Sequence, residues 1–349
     1  MNNTSNIILD YTLPEIEQLF EEKGIAKYRA RQLYQGLMKG WTFDENTTLP
    51  KDVITFLKNN YIETGVTIEK RYISRIDKTE KYLFRLSDGN IIEGVLMRYH
   101  YGNTICISTQ VGCRMGCAFC ASGIDGLERN LTPGEILGQI LVVSKFAEKI
   151  NSKDRTITNI VLMGTGEPLD NYDNVIKFLE IINSEYSLNI SKRNISLSTS
   201  GLVDKIYKLA DANYPLTLTI SLHAASDEVR KQIMPVANKY SIAELLDAAK
   251  YYFKKTGRRV IFEYALIAGV NDTVAQAEKL SILLRGFQCH VNLINLNKVK
   301  EKKYESSEKS NINAFVKVLN KNKISNSIRR TLGADIDGAC GQLRRGYSK

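Results

Sequence analysis

Long apolar runs are absent from this 349-residue chain: no stretch approaches the roughly 18 residues that a membrane-spanning helix needs. Histidine is scarce, with three in all, no H-x-x-x-H, and no second C-x-x-C beside the one at 117–120. The paired half-sites of an ordinary four-ligand zinc module are therefore missing. The chain opens MNNTSNIILD, without the basic start, apolar stretch or small-residue cleavage site of a secretory leader. A reducing, cytoplasmic setting is expected, and a disulfide scaffold is disfavoured. No internal repeat or low-complexity linker divides the chain.

What is present is concentrated. Cys113, Cys117 and Cys120 fall within eight residues as C-R-M-G-C-A-F-C. Three thiolates at this spacing select a soft metal centre, and a four-iron cluster normally takes four cysteine ligands. A cluster held by three keeps one iron open, where a chelating ligand such as S-adenosylmethionine can bind and receive an electron. The alternative is zinc completed by a fourth ligand, with His100, Cys106, Cys289, His290 or Cys340 available.

Hydrophobic residues make up 43% and charged residues 25%, as in an ordinary soluble protein large enough for a full core. The net charge of +10 is unevenly spread: residues 1–100 balance at 14 Lys and Arg against 14 Asp and Glu, whereas residues 298–349 carry 13 against 5. Such a localised basic excess suits a phosphate backbone, or is a solvated tail.

The first hundred residues read as a small helical module followed by a hairpin. Leu13-Pro14-Glu15 starts a helix to about Lys23, Tyr28 to Met38 forms a second, and a third begins near Pro50. Residues 81–86 and 91–97 alternate around Asp88-Gly89-Asn90, a hairpin turn. The division expected is a helical accessory domain over 1–75 with an RNA-contacting role, a hairpin extension over 76–100, and a catalytic domain over 101–349. From residue 104 strands alternate with helices. Strands are expected at 104–108, 157–163, 194–199, 216–222, 258–267 and 290–295, with helices at 133–149, 174–182, 202–212, 242–254 and 274–284. Six βα units imply an α/β fold, a partial (β/α)6 barrel whose site lies beyond the carboxyl ends of the strands. The cysteine run follows the first strand, Gly164-Thr-Gly166-Glu167-Pro the second, Ser198-Thr the third, Ser221-Leu222-His223 the fourth, Gly269-Val-Asn-Asp the fifth and Asn295 to Asn297 the sixth.

C-x-x-x-C-x-x-C after the first strand and GTGEP after the second resemble the radical S-adenosylmethionine superfamily. The longer strings C-I-S-T-Q-V-G-C-R-M-G-C-A-F-C, M-G-T-G-E-P-L-D-N-Y-D-N-V, S-L-H-A and A-D-I-D-G-A-C-G-Q-L-R-R resemble, more narrowly, the RlmN family of adenine carbon-2 methyltransferases acting on 23S rRNA and tRNA. The likeness runs in order from about residue 10 to 347.

That resemblance implies a [4Fe-4S] cluster on Cys113, Cys117 and Cys120 and two S-adenosylmethionine molecules per turnover. One methylates Cys340; the other yields a deoxyadenosyl radical that takes hydrogen from the new methyl group, and the thiomethylene radical adds to the adenine. Carbon 2 of adenine, between two ring nitrogens, is too electron-poor to attack a sulfonium directly. Cys106 matches the resolving thiol that pairs with Cys340 as the product leaves, and Glu93 the proton acceptor. Contacts to S-adenosylmethionine carry over onto Gly166, Glu167, Ser198, Ser221, Leu222, His223 and Asn297. A flavodoxin- or ferredoxin-type protein is the electron donor implied, and a monomer is the default. Cys289 matches no role and reads as a core thiol.

Arg329-Arg330 and Arg344-Arg345 bracket Cys340, so the basic excess surrounds the methyl carrier, where RNA phosphates need neutralising. The chain departs from the family at Asn297-Lys298, where Asn-Pro is common. Two rivals remain at this level: the Cfr branch, which methylates carbon 8 of the same adenine, and a zinc-stabilised RNA-binding protein without catalysis. Pro168-Leu169 after Glu167 resembles RlmN rather than Cfr.

Overall fold

The computed structural model describes residues 6–146 and 156–343. Thr12 and Glu15 close a capping box at the start of α1 (Leu13–Glu22), with Pro14 in the first turn. Leu13, Ile16 and Phe20 form its buried face, and α2 (Tyr28–Met38) and α3 (Lys51–Asn60) complete the helical module. Then β1 (Val66–Ile73), β2 (Glu80–Leu86) and β3 (Ile91–Tyr99) run as an antiparallel meander. Gly89 sits at φ +87°, the left-handed value that the β2–β3 turn requires.

The next strand, β4 (Gly102–Cys106), pairs antiparallel with β3 on one side and parallel with β7 (Asn159–Leu162) on the other, so it joins meander to barrel. Between them, β5 (Gln110–Gly112) and β6 (Leu127–Asn130) make a separate two-stranded ribbon, and α4 (Pro133–Ser144) starts on a second capping box, Thr132 with Glu135. Chain order continues with α5 (Tyr172–Asn183), β8 (Ile195–Thr199), α6 (Val203–Asp211), β9 (Thr217–Ser221), α7 (Asp227–Ile233), α8 (Ile242–Thr256), β10 (Val260–Leu266), α9 (Val274–Leu283), β11 (Cys289–Asn295), α10 (Lys309–Lys321) and β12 (Asn326–Ile328).

Ten strands form one sheet in the order β1-β2-β3-β4-β7-β8-β9-β10-β11-β12, parallel from β4 onward. The expected partial barrel is present, all six anticipated barrel strands included. Two edge strands were not anticipated. In β1 only Val66 is buried, and β12 is three largely exposed residues, so neither carries the apolar run or alternation of a strand with a buried face. Apolar side chains from the N-terminal helices, the meander and the barrel share one core. Among the described residues no helix is long and apolar enough to cross a membrane.

Candidate active site

The chain leaving β4 is fixed before it reaches the first cysteine. Ile107 N–H donates to the Val161 carbonyl at 3.1 Å, and the Ser108 hydroxyl to the Glu93 carbonyl at 2.7 Å. The β5–β6 ribbon then grips the base of the cysteine loop, where Cys113 N–H donates to the Gly126 carbonyl at 2.8 Å. A Cβ on Gly112 would stand 2.0 Å from that same carbonyl, so only glycine lets the two arms meet. Farther out, Ala118 N–H donates to Ile233 at the end of α7. All three thiols line one cavity at the carboxyl ends of the strands. Burial pushes Cys113 up to about 12 and raises Cys117 as well, the second aided by its neighbours Cys120 and Cys113.

The donor set fits a cluster: the three cysteines of one loop line a single cavity, and soft thiolates are the ligands that an iron–sulfur cluster takes.

Strand exits supply the rest of the cavity wall. Gly164 and Gly166 are demanded by packing: a Cβ on Gly164 would come within 2.6 Å of the Ile107 backbone, and one on Gly166, at φ +111°, within 2.7 Å of Gln110. Glu167 is buried, its N–H donating to Gln110 Oε1 at 2.8 Å and its carboxylate accepting from Leu169 and Ser200 N–H at 3.1 and 2.6 Å. Burial raises its pKa against those hydrogen bonds. Ser198, Ser221 and His223 line the same cavity. His223 takes φ +55° with its Nδ1 accepting from Ala265 N–H at 2.9 Å, and burial lowers its pKa to about 3. The ring is thus neutral, with its proton on Nε2.

Cys340 lines this cavity and a second one beside it, where Cys106 is also exposed to the interior space. Asn297 lines both, and its Nδ2 donates to the Cys340 carbonyl at 3.0 Å. The carrier segment is tied to the cysteine loop: Ala121 N–H donates to the Gly341 carbonyl at 2.8 Å and the Ser122 hydroxyl to the Leu343 carbonyl at 2.7 Å. On its other side, Lys81 Nζ donates to the Asp337 carbonyl at 3.1 Å. Burial pushes the Cys106 thiol up to about 12.

Known proteins match this arrangement. The Radical SAM superfamily pattern covers residues 107–279. A probable dual-specificity RNA methyltransferase RlmN of Clostridium botulinum (strain Alaska E43 / Type E3) is 53% identical over 343 residues, 98% of this chain and 97% of that one. Its counterpart in Clostridium novyi (strain NT) is 51% identical over 342 residues, 97% and 98% of the two chains. The crystal structure of a radical SAM methyltransferase from Sphaerobacter thermophilus superposes with a TM-score of 0.93 at 41% identity, over 97% of this chain and 99% of that one. The chain belongs to the RlmN family. It is a radical SAM RNA methyltransferase, and superfamily members use a [4Fe-4S] cluster with S-adenosylmethionine.

Some residues singled out in the sequence stand elsewhere in this RlmN-type fold. Glu93 is buried in an ion pair with Lys81 at 2.9 Å and lines a neighbouring cavity on the far side of the carrier segment, not the one holding Cys340. Leu222 is fully buried in the core and contributes its backbone, whose carbonyl accepts from Arg230. Arg329, expected on phosphate, instead turns inward and pairs with Glu263 at 3.2 Å, because it directly follows β12, which runs along the barrel wall. Arg330 is exposed at the rim of the second cavity. Arg344 and Arg345 lie outside the described residues. Cys289 is a buried core thiol.

Sequence reasoning missed Arg230. Fully buried, it donates from Nε to Leu222 O at 3.2 Å and from Nη2 to Ser200 O and Ser221 O at 2.6 and 3.2 Å, tying two strand exits together. Nothing in the amphipathic α7 marks its one inward arginine. It also missed Gln110, whose side chain joins the ribbon to Glu167, Asn130 and Asp170.

Proposed function

We propose that this chain methylates carbon 2 of an adenosine in 23S rRNA and of adenosine 37 in some tRNAs, through a methyl group carried on Cys340 and a transient Cys106–Cys340 disulfide. The observation carrying this reading is that Cys340 lines both the cavity of the three cluster cysteines and the adjoining cavity of Cys106. A thiol so placed can meet a methyl donor on one side and a resolving thiol on the other.

Cys113, Cys117 and Cys120 would hold the cluster, and Gly166, Glu167, Ser198, Ser221, His223 and Asn297 would surround S-adenosylmethionine. When bound, these groups supply the radical that activates the carried methyl. The buried, neutral His223 offers a fixed N–H donor that no pH near neutrality removes. Asn297 orients the Cys340 backbone. For release, Cys106 attacks the Cys340 sulfur, an S–S bond forms, the carbon–sulfur bond breaks with its electron pair going to the base, and a proton completes the methyl group. Glu93 is the proposed acceptor of the adenine proton. Its place beyond the carrier segment requires that segment to move, or the base to enter from that side. The helices within residues 1–75 are proposed to contact RNA, a flavodoxin- or ferredoxin-type protein to supply electrons, and the cytoplasm to be the site of action of a monomer.

Mass spectrometry of RNA nucleosides from a deletion strain complemented with this chain tests the reading. Methyl at carbon 2 supports it, methyl at carbon 8 selects the Cfr-type reaction instead, and no methylation overturns both.

A further inference from the structure

The floor between the cavities is built from Arg329, Glu263 and Met163. Arg329 lines the cluster cavity, the Cys106–Cys340 cavity and the polar barrel lumen beneath them, and Met163 lines all three with it. Its backbone is pinned to the wall, with its N–H donating to the Leu293 carbonyl at 2.8 Å. Its guanidinium is aimed by two neighbours: Nη1 pairs with Glu263 Oε1 at 3.2 Å, and both terminal nitrogens stand 3.7 Å from the Met163 sulfur. Glu263 is itself buried and held by Asn292 Nδ2 at 3.1 Å, while its second oxygen has no hydrogen-bond partner. One carboxylate oxygen therefore meets one corner of the guanidinium rather than clasping it along a bidentate edge.

We propose that Arg329 is a positioning residue for the thiol pair: its charge, partly offset by Glu263, lines the cavity that Cys106 and Cys340 share and steadies the anionic sulfur that forms there as a thiol reacts. The surroundings of each group agree. The guanidinium is held in its charged form first by Cys340, with Glu263, Cys106 and Tyr99 adding to it against burial. Arg329 is also the cation that counters the burial of Cys106. Thiolate, not thiol, is the nucleophile both in displacement on a methyl sulfonium and in attack on a sulfur. Burial, with Cys340 adding to it, keeps Cys106 protonated well above neutrality even with this cation nearby, so loss of the cation makes the anion formed during reaction costlier still. Arginine suits the place because its planar guanidinium can pair with Glu263 at one corner and still present charge to the cavity.

The link to methyl transfer rests on the function proposed above; the charge effect itself does not. It is read in anaerobic, cluster-loaded enzyme without S-adenosylmethionine or RNA, using bis(2-hydroxyethyl) disulfide, an uncharged probe that the arginine cannot steer. Thiolate attack on the probe forms a mixed disulfide on Cys340 or Cys106 and releases mercaptoethanol; the second thiol then resolves it, releasing another. Peptide mass spectrometry follows both cysteines and counts any Cys340 already methylated. Arg329→Met is expected to slow the first attack at pH 8 by roughly five- to tenfold and displace the pH–rate profile upward. Arg329→Lys restores most of the rate, and Glu263→Gln, which removes the offsetting charge, raises it about two- to fivefold. Opposite effects of the two neutral variants separate charge from packing, since a merely structural pair would shift both alike. Arg329→Met within twofold of the parent, or the two variants moving in the same direction, overturns the proposal. If rates move as expected in a protein that never carries methyl on Cys340, this inference stands and the methyl-carrier reading falls.

Discussion

His223 shows how much of a residue's chemistry comes from its surroundings. Unfolded, its imidazole takes a proton below about pH 6.5; folded, burial and then Arg230 hold that off to about pH 3. Between these values the unfolded chain binds more protons, so the contribution is complete above pH 6.5 and lost as pH falls toward 3. Its ceiling is on the order of 5 kcal/mol. Urea unfolding across pH 4–7 should show a stability slope in the parent that flattens in His223→Asn, asparagine being a residue that tolerates the positive φ. Cys106 gives a second prediction. Cys106→Ala removes the attacking sulfur and leaves adduct formation intact, so RNA is expected to remain covalently attached to Cys340, visible as a shifted band on denaturing gels; release at the parent rate would exclude the role. Both cysteines were picked out in the sequence by the family resemblance, and in the structure both line the second cavity. Arg329 was not: Arg329-Arg330 reads as surface charge until the pairing of β12 with β11 turns the first inward and leaves the second exposed.

Among elements, those with a buried face announced themselves. The six barrel strands and the helices α5, α6 and α8 carry strong apolar patterns, while α7 is only seven residues long and α10 lies in a charged stretch that masks its periodic Ile312, Phe315 and Leu319. What no pattern discloses is how strand exits are held together. Arg230 does so through three carbonyls of the β8 and β9 exits, and Arg230→Met would leave those buried acceptors unpaired, costing about 3 kcal/mol and lowering Tm. Gly164 works by subtraction. Gly164→Ala forces a methyl against the Ile107 backbone at 2.6 Å, which is expected to cost roughly 1–3 kcal/mol and to weaken cluster retention with it, measured by iron content after gel filtration. A destabilised protein with full iron would separate the two effects and exclude that coupling.

On the scale of the whole molecule, the +10 charge bears on encounter with a polyanion more than on folding. Arg330→Glu together with Arg344→Glu and Arg345→Glu should weaken RNA binding and make the slope of log affinity against log salt shallower by about 0.7 to 0.9 for each phosphate that is no longer neutralised. Methylation of Cys340 should persist in the same variant; an unchanged slope would place the phosphate-binding residues elsewhere. Composition indicated this basic excess but not the inward use of Arg329, since a count of charges says nothing about direction. The tie between the cysteine loop and the carrier segment, Ser122 to Leu343, joins residues 221 positions apart. A contact of such span carries a large loop-closure cost and is expected to form after the local βα units. The expected consequence is a cysteine loop already shaped while the carrier segment is still undocked; a chain ending before residue 334 that takes up iron as the parent does would bear this out, and one that takes up none would exclude it.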